Sequence, residues 1–263
     1  MLRSARRARL EARTMLYAAD ISVFPPFFHT LLRGGDGLAI LVSEPVPDLV
    51  AEDLACRRGE RLVFAGLSFR LPPGGALVLT GANGSGKTSL LRLLAGLIAP
   101  AAGRLAWGAV SIADDIAEHH ARLHYVGHQD GVKPGLTPRE TLVFWAALRG
   151  REMRRDGPML AAALAAFALE PVADWPCRWL SAGQRRRLAL AGLLVIPAPV
   201  WLLDEPFSAL DDDNRVRLEQ AIMAHRAGGG RVVLATHIPA AIGAAAGIGL
   251  DAFAPRHDDA GDE

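Results

Sequence analysis

The sequence predicts an α/β fold with a mainly parallel sheet, and three features carry that prediction. Short continuous apolar runs alternate with stretches of helical period, the pattern of strands buried on both faces and joined by helices. One run, Ala76 to Thr80, leads directly into a glycine-rich loop that opens a helix. Another, Val200 to Leu203, ends on two adjacent carboxylates, Asp204 and Glu205, at the strand end where such sheets hold ligands.

Residues 1–50 read as an N-terminal extension, because they lack sustained periodicity and contain Pro25, Pro26, Pro45 and Pro47. The arginines at its start are followed by no apolar segment, since Glu11, Arg13 and Asp20 interrupt it, so no cleaved export signal is expected. Order begins near Leu54, within a domain set at residues 51–250. Leu62 to Phe64 and Leu67 to Leu71 read as two short strands, and Pro72 to Gly75 as a turn into the run at Ala76. After the loop, Leu90, Leu91, Leu94 and Leu97 recur at helical spacing, predicting a helix over Thr88 to Ile98 closed by Pro100. Leu123 to Val126 reads as strand. Ala/Leu-rich helices are expected over Arg139 to Arg149 and Met159 to Leu169, forming a helical subdomain at about 130–195. A helix over Ala182 to Val195 stops at Pro197, followed by the strand at Val200, a helix over Asp212 to Ala227 and a strand over Val232 to Ala235. Residues 251–263 read as an acidic tail.

Composition narrows the function. With 51% hydrophobic and 22% charged residues, a chain of 263 residues buries a substantial core and is not disordered. The net charge of +1 argues against a protein built to hold nucleic acid. The apolar residues are spread out, and the longest candidate span, Leu188 to Leu203, is broken by Pro197 and Pro199, so the chain is expected to lack a transmembrane segment of its own. Two cysteines, Cys56 and Cys177, support neither a disulfide framework nor a CxxC metal site and fit a reducing compartment.

The sharpest motif is Gly81-Ala82-Asn83-Gly84-Ser85-Gly86-Lys87-Thr88, followed by Ser89, a full match to G-x-x-x-x-G-K-[ST] between a strand and a helix. Wrapping a triphosphate requires backbone N–H groups aimed inward, where side chains would obstruct the turn, and the helix that follows adds the positive end of its dipole. Lys87 is expected to reach the β- and γ-phosphates of ATP, and the Thr88 hydroxyl to ligate Mg²⁺. At the other strand end, Asp204 is expected to hold Mg²⁺ and Glu205 to act as general base on the attacking water. The bland alternative for the pair is a cap at a strand end.

Between these motifs lies Leu180-Ser181-Ala182-Gly183-Gln184, followed by Arg185, Arg186 and Arg187. Ser181 is an effective N-cap and on that reading simply starts its helix. In this position, however, the pentapeptide resembles the signature sequence of ABC-transporter ATPases. Ser208-Ala209-Leu210-Asp211 is similar to that family's D-loop, His237 after Ala235-Thr236 to its switch histidine, and Gln129 after Val126-Gly127-His128 to its Q-loop. The resemblance implies a P-loop NTPase of the ABC nucleotide-binding type, working as a homodimer. Each ATP would lie between the Gly81–Thr88 loop of one subunit and Ser181, Gly183 and Gln184 of the other, with Asp211 at the same interface. Gln129 would contact Mg²⁺ or the water, and His237 the γ-phosphate. Where many members place an aromatic residue to stack on adenine, this chain has Arg58, whose guanidinium plane can also stack.

Within the family, Leu54 to Arg61, Leu94 to Leu97, Tyr125 to Lys133 and the Ala182-Gly183 signature together resemble the ATP-binding subunit of the cytochrome c maturation haem exporter. That implies integral membrane partner subunits, a peripheral place on the cytoplasmic face of the inner membrane, and ATP hydrolysis tied to moving haem or to releasing a haem-loaded chaperone. An exporter ATPase with another cargo is the alternative, and a soluble non-transport ABC ATPase a more distant one. His119, His120, His124 and His128 are not read as haem ligands, because a strand at Leu123 spoils their helical spacing.

Overall fold

The computed structural model describes residues 46–196 and 198–255. The expectations for residues 1–45 and 256–263 lie outside the described residues. In chain order the elements are β1 (Leu49–Arg58), β2 (Arg61–Leu71), β3 (Ala76–Thr80), α1 (Lys87–Leu94), β4 (Ala102–Trp107), β5 (Val110–Ser111), α2 (Ile116–Ala121) and β6 (Leu123–Val126). They continue with α3 (Pro138–Leu148), α4 (Pro158–Ala166), α5 (Ala182–Val195), β7 (Val200–Asp204), α6 (Asp212–Ala227), β8 (Arg231–Ala235) and β9 (Ala246–Gly249), with 3₁₀ turns at Glu170–Val172, Cys177–Trp179 and Leu250–Phe253.

The central sheet is parallel, in the order β6-β7-β8-β3-β9. Its inner strands are apolar apart from one end residue each because both faces are covered, and alternate side chains go to different cores. From β7, Val200 and Leu202 join one core and Trp201 and Leu203 the other; from β8, Val233 and Ala235 part in the same way from Val232 and Leu234. The first core is completed by α1 through Leu90, Leu91 and Leu94, and by an antiparallel sheet in the order β2-β1-β4-β5. The second contains α5 and the helical subdomain, with Leu142 of α3 and Leu160 and Leu164 of α4 against Leu188 and Ala191. Deleting one of these fully buried leucines costs about 2–5 kcal/mol.

The expected strands and helices of the parallel layer are present, and the differences have local causes. Helix α1 stops at Leu94 rather than Ile98, because Gly96 takes φ +69° and the Leu97 and Gly96 amides donate to the Arg92 and Leu93 carbonyls, closing a Schellman cap. The two expected strands before β3 are one, β2, continued through a bulge opposite Leu54 to Cys56. Strand β1 opens at Leu49, so Leu49 and Val50, assigned from the sequence to the extension, are core residues of the domain. The Val46 and Pro47 carbonyls are held there by the buried guanidinium of Arg231. Residues 250–253 form a 3₁₀ turn packed through Leu250 rather than the start of a tail. Among the described residues no helix is long and apolar enough to cross a membrane.

Candidate functional site

Strand β3 ends at Thr80, and the chain turns through Gly81 to Gly86 into α1. The turn depends on Gly86, the N-cap of α1, which takes φ +106° and packs so closely on β2 that a Cβ would sit 2.7 Å from Val63 Cγ1. Lys87 Nζ, mostly buried, donates to the carbonyls of Gly81 at 2.7 Å and Ala82 at 3.0 Å. An ammonium held on two loop carbonyls can exchange them for phosphate oxygens. Ser85 Oγ is buried without a hydrogen-bond partner among the described residues.

A cleft of about 500 Å³ opens over this loop. Asn83, Gly84, Gly86, Lys87, Thr88 and Ser89 line it, together with Asp204 and Glu205 from the end of β7 and Arg58 from the β1–β2 hairpin. The parallel order brings β7 within one strand of β3, which sets the carboxylates beside the loop. Asp204 is buried, and its Oδ2 has no hydrogen-bond partner among the described residues. A buried carboxylate oxygen left open beside a threonine hydroxyl fits a hard divalent cation such as Mg²⁺, with Thr88 and Asp204 as oxygen donors. Glu205 takes φ +46°, a backbone region costly for a side chain of this size. Its amide donates to the Ala235 carbonyl at 2.9 Å, and its Oε2 lies 2.9 Å from His237 Nδ1, delivered by the loop after β8.

Gln129 does not line this cleft. It lines an adjacent groove of about 420 Å³ between β6 and the helical subdomain, with Tyr125, Trp145 and Arg149. Ser181, Gly183 and Gln184 are likewise outside the cleft. Ser181 caps α5 in a reciprocal capping box with Gln184, with the Gln184 amide 3.1 Å from Ser181 Oγ and the Ser181 amide 2.8 Å from Gln184 Oε1. Gly183 lies so close to the D-loop that a Cβ would approach the Ala209 carbonyl to 2.9 Å. Asp211 caps α6, and hydrogen bonding from the Asn214 amide holds its carboxyl below the usual carboxylate range. Within one chain, then, the signature and Asp211 occupy helix N-termini away from the loop.

Sequence reasoning missed four neighbours of the site. Arg61 and Val63 of β2 line the cleft, placed there by the hairpin pairing of Arg58 with Arg61. Asp251 accepts a hydrogen bond from the Ala82 amide at 3.3 Å and so braces the back of the loop. Arg186 is buried between the ends of β6 and β7. Asp251 showed only its acidic type, and Arg186 stood within the Leu180–Arg187 stretch with nothing to mark it off from Arg185 and Arg187.

The family described as ABC transporter matches residues 64–208. The cytochrome c biogenesis ATP-binding export protein CcmA of Rhodospirillum rubrum is 57% identical over 205 residues, covering 78% of this chain and 86% of the relative. That of Paramagnetospirillum magneticum is 53% identical over 204 residues, covering 78% and 94%. Among solved structures, an ABC transporter ATP-binding protein from Pyrococcus furiosus superposes with TM-score 0.70 at 21% identity, covering 79% of this chain and all of that one. A dimeric ATP-binding cassette bound to ADP and Pi superposes with TM-score 0.64 at 22% identity, covering 72% and 88%. At these identities the two structures speak to the fold.

Proposed function

The chain belongs to the ABC transporter family and stands among its cytochrome c biogenesis ATP-binding export proteins, and from that premise we propose that it is the ATP-hydrolysing subunit of an exporter complex for c-type cytochrome biogenesis. The observation that carries the hydrolytic part is the Glu205–His237 pair, held 2.9 Å apart at the rim of the cleft that Lys87 and Thr88 line. The export role rests on the relatives.

ATP enters the cleft with its phosphates on the Gly81–Thr88 loop, where backbone amides and the N-terminus of α1 offer positive ends of dipoles. Lys87 moves its ammonium from the Gly81 and Ala82 carbonyls to the phosphates. Thr88 and Asp204, with Gln129 approaching from its groove, would hold Mg²⁺, whose chemistry is to neutralise charge on the β- and γ-oxygens. Glu205 takes the proton of the attacking water, and His237 fixes the carboxylate that does so and reaches toward the γ-phosphate. Arg58 stacks on the base.

The protein acts as a homodimer in which the N-terminus of α5, capped by Ser181, faces the γ-phosphate held by the partner. Gly183, Gln184 and Asp211 complete that interface. Loss of the γ-phosphate removes the bridge and opens the dimer, a two-state switch that integral membrane subunits convert into movement of haem or release of a haem-loaded chaperone. On this reading the protein sits peripherally on the cytoplasmic face of the membrane.

Complementation tests the proposal. The gene is deleted, wild type or Glu205→Gln is restored, and covalent haem in c-type cytochromes is read from peroxidase-stained gels. Bands lost on deletion and rescued only by wild type are expected; normal bands in the deletion strain would assign the ATPase to another cargo.

A further inference from the structure

We infer that Arg186 is a positioning residue for hydrolysis, setting both the Glu205 peptide and the Gln129 loop from the signature helix. The inference rests on the ATPase reading above and adds to it a residue that lies outside the cleft. Arg186 stands in the second turn of α5, the helix that Ser181 caps. Its guanidinium is buried and divides its donors between two loops. Nη1 donates to the Gly127 carbonyl at 2.8 Å and to Asp130 Oδ1 at 3.1 Å; Nη2 donates to the carbonyls of Asp204 at 2.7 Å and Glu205 at 2.9 Å.

Those four acceptors bracket the chemistry. Gly127 and Asp130 flank Gln129 on either side, so the fork fixes both ends of the segment that carries it. On the other arm, Glu205 holds a left-handed backbone at φ +46°, a conformation that persists only where its surroundings over-determine it. Its amide is tied to the Ala235 carbonyl and its carbonyl to Arg186, so the strained peptide is pinned from both sides. The same carbonyl also accepts from the Ser208 amide at 3.1 Å, so loss of the arginine removes one of its two ties and lets the strained peptide shift, which misplaces the Glu205 side chain against His237. The fork geometry matters as much as the charge. A planar guanidinium serves two pairs of acceptors at once, whereas an ammonium is a single point of charge and can follow one loop or the other. Arg185 and Arg187 do not substitute, because Arg187 is committed to the Phe167 and Ala168 carbonyls and Arg185 to that of Leu180.

The geometry therefore predicts that Arg186 acts on turnover and not on ATP binding, which belongs to the Gly81–Thr88 loop. The test uses the full-length chain in its exporter complex, with wild type and Glu205→Gln as references. Arg186→Lys is expected to lower kcat on the order of 10²-fold while KM and ATP affinity stay within about threefold, the pattern of a misplaced reacting group. Asp130→Asn, which removes the charge on one acceptor and leaves the buried arginine, is expected to give a smaller fall of the same kind. Guanidinium added to Arg186→Ala is expected to restore part of the turnover, and the split between kcat and ATP affinity in Arg186→Lys separates positioning from a general loss of fold.

Hydrogen exchange supplies a readout independent of catalysis: in Arg186→Lys the amides of residues 127–130 and 204–206 exchange faster, while those of α1 are unchanged. Turnover of Arg186→Lys within about threefold of wild type overturns the inference and leaves the ATPase reading standing. If wild type itself fails to hydrolyse ATP, that reading falls, and unchanged exchange at the two loops overturns the positioning role separately.

Discussion

His237 Nδ1 and Glu205 Oε2 lie 2.9 Å apart although 32 residues separate them in sequence. The contact is made by neighbouring parallel strands, since Asp204 of β7 pairs with Ala235 of β8 and the two side chains leave from the next turns. A histidine that donates to a carboxylate fixes its rotamer without consuming its second oxygen, which stays available to a water. Glu205→Gln is therefore expected to keep ATP binding and to lower kcat on the order of 10²–10³-fold, the contribution of a general base. His237→Ala should fall by about 10²-fold, because the carboxylate is present but no longer oriented. Steady-state phosphate release against ATP affinity separates the two effects; full turnover by both variants would remove the pair from the mechanism.

On the proposed reading Lys87 serves ATP binding rather than the fold. Among the described residues its Nζ bonds only to loop carbonyls, at 2.7 and 3.0 Å, and Lys87 itself lines the cleft. Lys87→Ala should weaken ATP about 10–100-fold, the loss of one or two charge-assisted hydrogen bonds. The thermal midpoint of the nucleotide-free protein should change little. Calorimetric titration with ATP checks this, and an unchanged affinity would place the phosphates elsewhere.

The parallel layer was legible because burial on both faces leaves strands without alternating polar positions: the apolar runs 76–79, 200–203 and 232–235 stand out between helices, with Thr80, Asp204 and Arg231 only at strand ends. The loop was legible because phosphate chemistry constrains residue type at fixed spacing. The antiparallel sheet was harder. Its strand β1 shifts register at three points, with Asp53 at φ +48°, so no period of two survives from Leu49 to Arg58. Edge strand β9, Ala246–Gly249, carries one large apolar residue and gives no signal at all. Of the site, the residues proposed to act across the dimer were legible only through family resemblance, since within one chain Ser181 and Asp211 look like helix caps and are used as such. Arg186 escaped because Arg185, Arg186 and Arg187 are alike in sequence, and only packing decides which one is buried.

Arg58 stands where base stacking is expected, on the hairpin at the edge of the cleft. Arg58→Ala should weaken ATP about 2–5-fold, the size of an exposed stacking contact, and should weaken binding of the bare triphosphate not at all. Arg58→Trp should match or exceed wild type, because an aromatic plane stacks at least as well. Titrations with ATP and with inorganic triphosphate decide it: an equal loss for both ligands would make Arg58 a phosphate contact.

Two buried histidines, His119 and His225, and the partly buried His124 make stability depend on pH. Burial pushes His119 down to about 4, His124 to about 4 and His225 to about 3, in each case because desolvation penalises the charged ring. Well above pH 7 these rings are neutral in both the folded and the unfolded chain and cost nothing. As pH falls below about 6.5 the unfolded chain takes up protons that the folded chain refuses, so stability is lost until the folded pKa is reached. With all three refusing, the slope approaches about 4 kcal/mol per pH unit between pH 6 and 4.5. His119 adds a specific bond to this: its Nδ1 accepts from Trp107 Nε1 at 3.1 Å while its Nε2 donates to the Leu94 carbonyl at 2.9 Å, so a proton on Nδ1 would break the Trp107 contact. His119→Gln keeps an acceptor for Trp107 and does not titrate. It should flatten the slope by about 1.4 kcal/mol per pH unit in that window, whatever it costs at pH 7.5. Urea unfolding at a series of pH values measures both slopes, and identical slopes for wild type and variant would show that His119 is protonated in the folded protein as readily as in the unfolded chain.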